Sequence, residues 1–351
     1  MNAGDNAAPS LPSVLRMMYW SAGRDRRRIP HLLAVLASFA RTAATLIWRR
    51  RILDRRRPVS IALVEHLGDI VAGEPVARYA RRRFPSAPLL WFVRAPYAEI
   101  PRSFPEVDDV VTVRCLTEWM LLRGAGLAGD VLDLHISGRY CPKCSIPLAK
   151  SGAAGAMTPE TYYDFGNLLG VECQSAGIEP IAESPVLHPG APAMRKADGL
   201  SLPERFVVIH CASNEVQRDW PTEEWHRLLQ HLGEVLGFDV IEVGLSPRAV
   251  KPGVARQRSL CGQLSILETA EVIRRARLFI GIDSGPAHLA NAVGTPGVIL
   301  LGRYRSFVRY TPYSGRYADG SGADLVRASG PVAGLLVEAV MAAVGRRLLG
   351  S

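Results

Sequence analysis

From residue 59 onward the chain alternates short β-rich runs with helical patterns, and it does so twice. Strands separated by helices pair in parallel and place helices on both faces of the sheet. The first set is SIALVEH (60–66), APLLWFVR (87–94), DVVTVR (109–114) and DVLDLHI (130–136), with PVARYARRRF reading as a helix after its first strand. The second set opens at RFVVIHC (205–211) and continues with WPTEEWHRLLQHLG (220–233), a helix expected to carry Pro221 in its first turn. FDVIEVGL (238–245), LFIGID (278–283) and GVILLG (297–302) are its later strands, alternating with helices SILETAEVIRRA (265–276) and GPAHLANAVG (285–294). Ser265 followed by Glu268 spells a capping box. The expected fold class is therefore α/β, with two facing Rossmann-like doubly wound domains.

The length of 351 residues and an apolar content of 48% allow two cores. The loosest segments are the Gly/Ala/Ser-rich 151–157 and the Pro-rich 180–203, and the boundary is expected in the second. This gives a prefix of 1–57, a first domain of 58–195 and a second of 196–351. Doubly wound sheets bind ligands at the carboxyl ends of their strands, so two facing domains would hold a ligand cleft.

The formal net charge of +9 invites a nucleic-acid partner, but its distribution argues against one. Residues 1–57 hold twelve arginines against Asp5, Asp25 and Asp54, which accounts for the whole excess. Within the prefix, HLLAVLASFARTAATLIW (31–48) approaches bilayer-spanning length, yet Arg41 near its middle costs ~2.5–3.5 kcal/mol on insertion. Ser38, Arg41, Thr45 and Arg49 form a polar stripe, with Leu32, Leu36, Phe39, Ala43 and Leu46 away from it. The pattern fits an amphipathic helix lying on an anionic membrane surface; packing on the protein's own body and a true span are the alternatives. A body beginning near Pro58 is expected to fold without the prefix. The segment ends in WRRR, where a cleavable signal needs small residues, and six scattered cysteines require no oxidising compartment. The expected location is cytoplasmic, peripheral at the inner face of the membrane.

The stretch GIDSGPAHLANAVGTPGVILLG (281–302) concentrates polar chemistry where a buried strand becomes a helix. Asp283, Ser284 and Gly285 sit at a helix N-terminus, which offers unpaired N–H groups and partial positive charge to a phosphate. Gly285 permits close backbone approach, Pro286 suits the first turn, and His288 lies one turn inside. A capping role for Asp283 or Ser284 with a core role for His288 is the simpler alternative.

This stretch resembles the signature of glycosyltransferase family 9, the heptosyltransferases, which have the GT-B fold. VVIHCASNEVQRDWPTEEWHRL (207–228) resembles the family's nucleotide-sugar block, LCGQLSILETAEVIRRARLFIGIDSG (260–285) the segment leading into the signature, and HLGDIVAGEPVARYARRRFP (66–85) its N-terminal glycine–aspartate loop. The resemblance implies transfer of a sugar, typically a heptose, from an ADP-sugar to an acceptor hydroxyl with inversion. It implies Asp69 as the base, with a helix cap as its alternative. Arg218, where the family often has Lys, and donors near Ser213 and Ser284–Gly285 would meet the diphosphate. Asp283, Ser284, Gly285 and His288 would hold the diphosphate and nearby sugar. Glu242 is the candidate acid for the nucleotide ribose. Without an Asp-x-Asp triad no catalytic metal is expected, and no other cofactor. The acceptor would be a glycolipid such as lipopolysaccharide core, another glycan or a protein. A GT-B-like nucleotide-sugar epimerase and a non-catalytic, membrane-docked nucleotide-sugar binder are the competing functions.

Cys141 and Cys144 form a C-x-x-C without a second such pair. Cys115, Cys173 and His135 could complete a metal site only if the fold gathers them, and a redox pair, the other alternative, lacks a thioredoxin context, so the pair is read as a turn with incidental cysteines.

Overall fold

The first four β-rich runs form one sheet from strands β1 (Val59–Ala62), β2 (Leu89–Arg94), β3 (Asp109–Val113) and β4 (Asp130–Asp133). All pairs are parallel and the order is β3-β2-β1-β4, with Ala62 opposite Phe92 on one side and Asp133 on the other. β1 is buried throughout, as the near-continuous apolar run requires of a central parallel strand.

The second sheet contains β5 (Phe206–His210), β6 (Asp239–Glu242), β7 (Gln257–Ser259), β8 (Leu278–Ile282), β9 (Gly297–Leu301) and β10 (Ala323–Arg327). It too is parallel, in the order β10-β9-β8-β5-β6-β7. Counted within this sheet the order is 3-2-1-4-5-6 read from β7, the dinucleotide-fold order, whose direction reverses between β5 and β8. Each sheet thus ends its central strands at a point where neighbouring connections diverge and leave a crevice.

This computed structural model describes residues 9–52, 56–307 and 309–350, and contacts divide the chain into units Met1–Ala182 and Glu183–Ser351. β7 and β10 escape the periodicity because both are edge strands, largely half-buried, with polar residues in QRS and ADLVR. The expected capping box is present: Ser265 Oγ accepts from Glu268 N, and Glu268 caps Ser265 N in return. Pro221 differs from expectation. It stands at the cap position of helix Thr222–Gln230 with an extended ψ of 140°, one residue outside the first turn. Helix Gly285–Val293 ends on Gly294 at φ 78°, the left-handed geometry that turns the chain into β9.

The prefix departs most from expectation. Its two helices, Leu11–Arg24 and Ile29–Ile52, bury Val14, Met18, Leu32, Val35 and Leu46 in one cluster with Phe92, Trp119 and Met120 of the first unit. Leu36, Phe39 and Ala43, from the expected lipid face, pack against the same cluster. Thr42 Oγ1 donates to Glu118 Oε1 at 2.9 Å, and Arg49 pairs with Asp109. The self-packing alternative therefore describes this face, and the body is not independent of the prefix. Asp5, Asp54 and Arg55 of the charge count lie outside the described residues. By length and composition the helix Arg26–Arg51 also meets the criterion for a membrane span.

Candidate functional site

In the second unit the polar side chains collect beyond the ends of β5 and β8, the strands flanking the reversal of order. After β5 the chain makes a tight turn: Ser213 N donates to Asp219 Oδ1 at 2.7 Å, and Ser213 Oγ donates to Glu215 O at 2.6 Å. That turn delivers Arg218, on a short 3₁₀ segment, toward Asp283 at the end of β8. Arg218 Nη1 lies 3.0 Å from Asp283 Oδ2.

Asp283 is almost wholly buried and encircled by donors. Tyr313 donates its hydroxyl to Oδ1 at 2.8 Å, Tyr310 donates to Oδ2, and His288 Nε2 lies 3.9 Å from Oδ1. A carboxylate surrounded in this way positions the guanidinium and the hydroxyls that donate to it. Burial works against charge on Arg218, but Asp283, Tyr304 and Glu215 outweigh it and hold the guanidinium above its ordinary range. The same guanidinium lies over the Tyr304 ring, 4.7 Å from its centroid. Burial, then Asp283, pushes the Tyr313 phenol well above its usual value, so it remains a donor.

Ser284 is the cap of helix Gly285–Val293 in extended geometry, and its hydroxyl donates to Ile282 O at 3.2 Å and accepts no N–H of the helix. Pro286 has no N–H, and Ala287 and His288 already donate to Ser284 O. The Gly285 amide is then the helix-end donor without an intrahelical acceptor. His288 is buried with its ring 4.8 Å from that of Tyr313. Ser284, Gly285, His288, Asp283 and Arg218 therefore lie together beyond the ends of β5 and β8, with Ser213 shaping the loop that brings Arg218 there.

Glu242 does not join them. It ends β6, is buried, and accepts the backbone N–H groups of Arg248, Ala249 and Val250 at 2.6–3.3 Å. Its carboxylate pins that loop and has no reach toward a ribose.

In the first unit Asp69 stands in the first turn of helix Leu67–Ala72, beyond the end of β1. It is not the cap: that position belongs to His66, whose φ of 67° turns the chain sharply out of the strand. Asp69 Oδ2 lies 3.8 Å from Arg139 Nη2, and Arg139 Nη1 lies 3.4 Å from His66 Nε2. Glu65, His66, Asp69, His135, Arg139 and Glu172 line one pocket. Glu172 is fully buried and neither carboxyl oxygen has a hydrogen-bond partner among the described residues. Burial, reinforced by the Asp69 charge and opposed by Arg139, raises its carboxyl well above the usual range and favours its protonated form.

Below this pocket Asp133 organises a buried network. It accepts from Trp119 Nε1 at 3.1 Å and Arg123 Nη1 at 2.5 Å, and contacts His135 Nδ1 at 2.6 Å. Burial alone would raise its carboxyl, but Lys150, His135 and Arg123 hold it below the usual range. His135 Nε2 then accepts Val64 N at 2.9 Å, which fixes the end of β1 from which Asp69 projects. Tyr304, Tyr310, Tyr313, Glu172 and Arg139 were not singled out in the sequence. The signal for the tyrosines lay in RYRSFVRYTPYSGRY (303–317), an aromatic and basic loop following a parallel strand.

Residues 190–322 match the family model of glycosyltransferase family 9 (heptosyltransferase). Over 117 residues the chain is 28% identical to lipopolysaccharide heptosyltransferase 3 of Escherichia coli K12, a match covering 31% of this chain and 34% of that protein. The chain thus aligns with about a third of the length of the curated relatives it matches. Among solved structures, a family 9 glycosyl transferase from Veillonella parvula superposes with a TM-score of 0.64 at 17% identity, over 84% of this chain and 98% of that one. The E. coli ADP-heptose lipopolysaccharide heptosyltransferase II gives 0.61 at 16%, over 84% and 99%. E. coli heptosyltransferase WaaC with ADP gives 0.56 at 18%, over 83% and 99%. These likenesses establish the fold class as GT-B.

Proposed function

We propose, from the glycosyltransferase family 9 domain that this chain carries in residues 190–322, that the protein is an inverting glycosyltransferase moving a heptose from an ADP-sugar to an acceptor hydroxyl. The observation that carries the reading is the Arg218–Asp283 pair beside the open end of helix Gly285–Val293, at the order reversal of a dinucleotide-type sheet. An anionic diphosphate finds there a guanidinium and a backbone donor, while the tyrosine hydroxyls are taken up by Asp283 and Glu215. The named relatives support the nature of the donor, since one was solved with ADP and the same enzyme with ADP-2-deoxy-2-fluoro heptose.

In this reading Arg218 and the Gly285 amide stabilise the charge that develops on the leaving diphosphate as the bond from the anomeric carbon breaks. Asp283 holds Arg218 in place, and His288 supports Tyr313 behind it. Asp69 takes the proton of the acceptor hydroxyl as its oxygen attacks the opposite face of that carbon, which inverts it. The acceptor is a glycolipid of the lipopolysaccharide-core type, and the protein works at the cytoplasmic side of a membrane. The prefix helices support that placement with their outward side, where Tyr19 is 74%, Trp20 61% and Trp48 54% exposed among arginines. Calorimetric titration of the full chain with ADP tests the donor site. Saturable binding that is weakened in Arg218→Ala supports the reading, and absence of binding to the wild type contradicts it.

A further inference from the structure

Three segments far apart in sequence bring metal-ligating side chains to one point in the first unit. His31 lies in the first turn of helix Ile29–Ile52, Cys115 immediately precedes helix Leu116–Gly124, and Cys141 and Cys144 occupy the loop after β4. One ligand atom from each of the four lies within 4.8 Å of all the others. Cys115 Sγ is 3.8 Å from Cys144 Sγ, and Cys141 Sγ is 3.7 Å from His31 Nε2. A tetrahedral zinc with Zn–S of ~2.3 Å and Zn–N of ~2.0–2.1 Å sets its ligand atoms ~3.5–3.8 Å apart. Both measured edges fall within that range.

We propose that His31, Cys115, Cys141 and Cys144 form a structural Cys3His zinc site. Four protein donors complete a tetrahedron and leave no position for water or substrate, which makes the site structural and not catalytic. The loop is shaped for it: Cys144 N and Ser145 N both donate to Cys141 O, at 3.0 and 2.7 Å, with Ser145 in a left-handed turn at φ 51°. That turn folds the C-x-x-C back on itself and presents both sulfurs to the same side. All three cysteines are buried, so a bound ion would be shielded from solvent. A disulfide does not account for the cluster. The S–S bond is ~2.05 Å long, far below the 3.8 Å between Cys115 and Cys144, and it would leave two donors of the four, including the histidine, without a role. Of the residues the sequence offered as further ligands, Cys115 joins the pair and Cys173 and His135 do not. Cys173 is buried in helix Leu168–Ser175, and His135 is committed to Asp133.

The ion would do for the prefix what apolar contact does nearby. It would tie the start of the long helix to the body, while Ser21 Oγ, donating to Cys144 O, attaches the first helix to the same loop. The inference is independent of the proposed sugar transfer.

Full-length protein purified without added metal and measured by inductively coupled plasma mass spectrometry is expected to hold about one zinc per chain. Cys141→Ser/Cys144→Ser should fall to background, and Cys173→Ser should keep the wild-type content. Replacing zinc by cobalt under reducing conditions should produce the visible d–d bands of a tetrahedral thiolate site, shifted in His31→Ala. Chelation should lower the melting temperature of the wild type. If the double variant does not fold, metal content and the cobalt spectrum of the wild type decide. Wild-type protein without zinc and without cobalt bands overturns the proposal, as does iron in zinc's place. Two of the six thiols blocked in the denatured, unreduced chain would mark a disulfide and overturn it equally.

Discussion

Arg218 and Asp283, sixty-five positions apart, meet at 3.0 Å where the loops after β5 and β8 leave the second sheet. The pair converts a buried carboxylate into a support for a partly exposed guanidinium. If Asp283 acts only through Arg218 and the tyrosines, its removal should matter chiefly while Arg218 is present. Arg218→Ala should weaken ADP binding by ~1–3 kcal/mol, the worth of a hydrogen bond to a charged group. Asp283→Ala should cost a similar amount, and the double variant little more than Arg218→Ala alone. Calorimetry on the four proteins checks this. Strictly additive losses would mean that Asp283 meets the ligand itself.

Glu172 predicts a pH dependence. Its folded-state carboxyl is raised, mainly by burial, above the ordinary value of 4.5. Between that value and the raised one the folded chain binds the proton and the unfolded chain does not. The stability this group contributes is complete below about 4.5 and is lost as pH rises through the folded-state value. Glu172→Gln removes the dependence. Urea unfolding at pH 5 and pH 8 should show the wild type losing more stability over the interval than the variant. Equal losses would contradict a buried neutral Glu172.

The prefix predicts a folding defect and a binding surface on opposite sides. A chain beginning at Pro58 loses Val14, Met18, Leu32, Val35 and Leu46, each a buried side chain worth ~1.5–3 kcal/mol. Their sum is comparable with the ~5–15 kcal/mol that holds a typical domain together. The truncated chain should therefore aggregate or melt far below the full chain, and near-normal melting would show the packing to be dispensable.

The outward side is tested separately. Trp20→Ser/Trp48→Ser in the full chain should leave the melting temperature within a few degrees, because both rings are exposed, while sharply reducing sedimentation with anionic vesicles. Wild-type sedimentation should also fall as salt rises, from screening of the arginines. Unchanged sedimentation of the variant would remove the membrane surface from the account.

Much of this architecture was legible in the sequence because parallel strands and their helices are written in local periodicity. β2 to β6, β8 and β9 lie within the runs that alternation picks out, β1 starts one residue before its run, and the Ser265–Glu268 box was readable from spacing alone. The edge strands β7 and β10 were not, since they carry no long apolar run. The helix Ile29–Ile52 misled for a related reason: an apolar face reads alike whether lipid or Trp119 covers it. At the site, polar residues at strand ends could be found, but their partners could not. Nothing near Glu242 announces that three backbone amides would claim it. Nothing in Cys141–Cys144 points to His31, 110 positions away, because that proximity is a product of the prefix packing.

The central claim is sugar transfer from an ADP-sugar with Asp69 as the base, and product analysis with ADP-heptose tests it most directly. The full chain would be incubated with ADP-β-heptose and lipid acceptors isolated from a strain lacking core heptose, and the products followed by mass spectrometry and NMR. The account predicts release of ADP, a heptose added to the acceptor with inverted anomeric configuration, and turnover cut ~10²–10⁴-fold in Asp69→Asn with ADP affinity within a few-fold of wild type. Retained configuration, a sugar isomer formed without ADP release, or near-normal turnover by Asp69→Asn would contradict it.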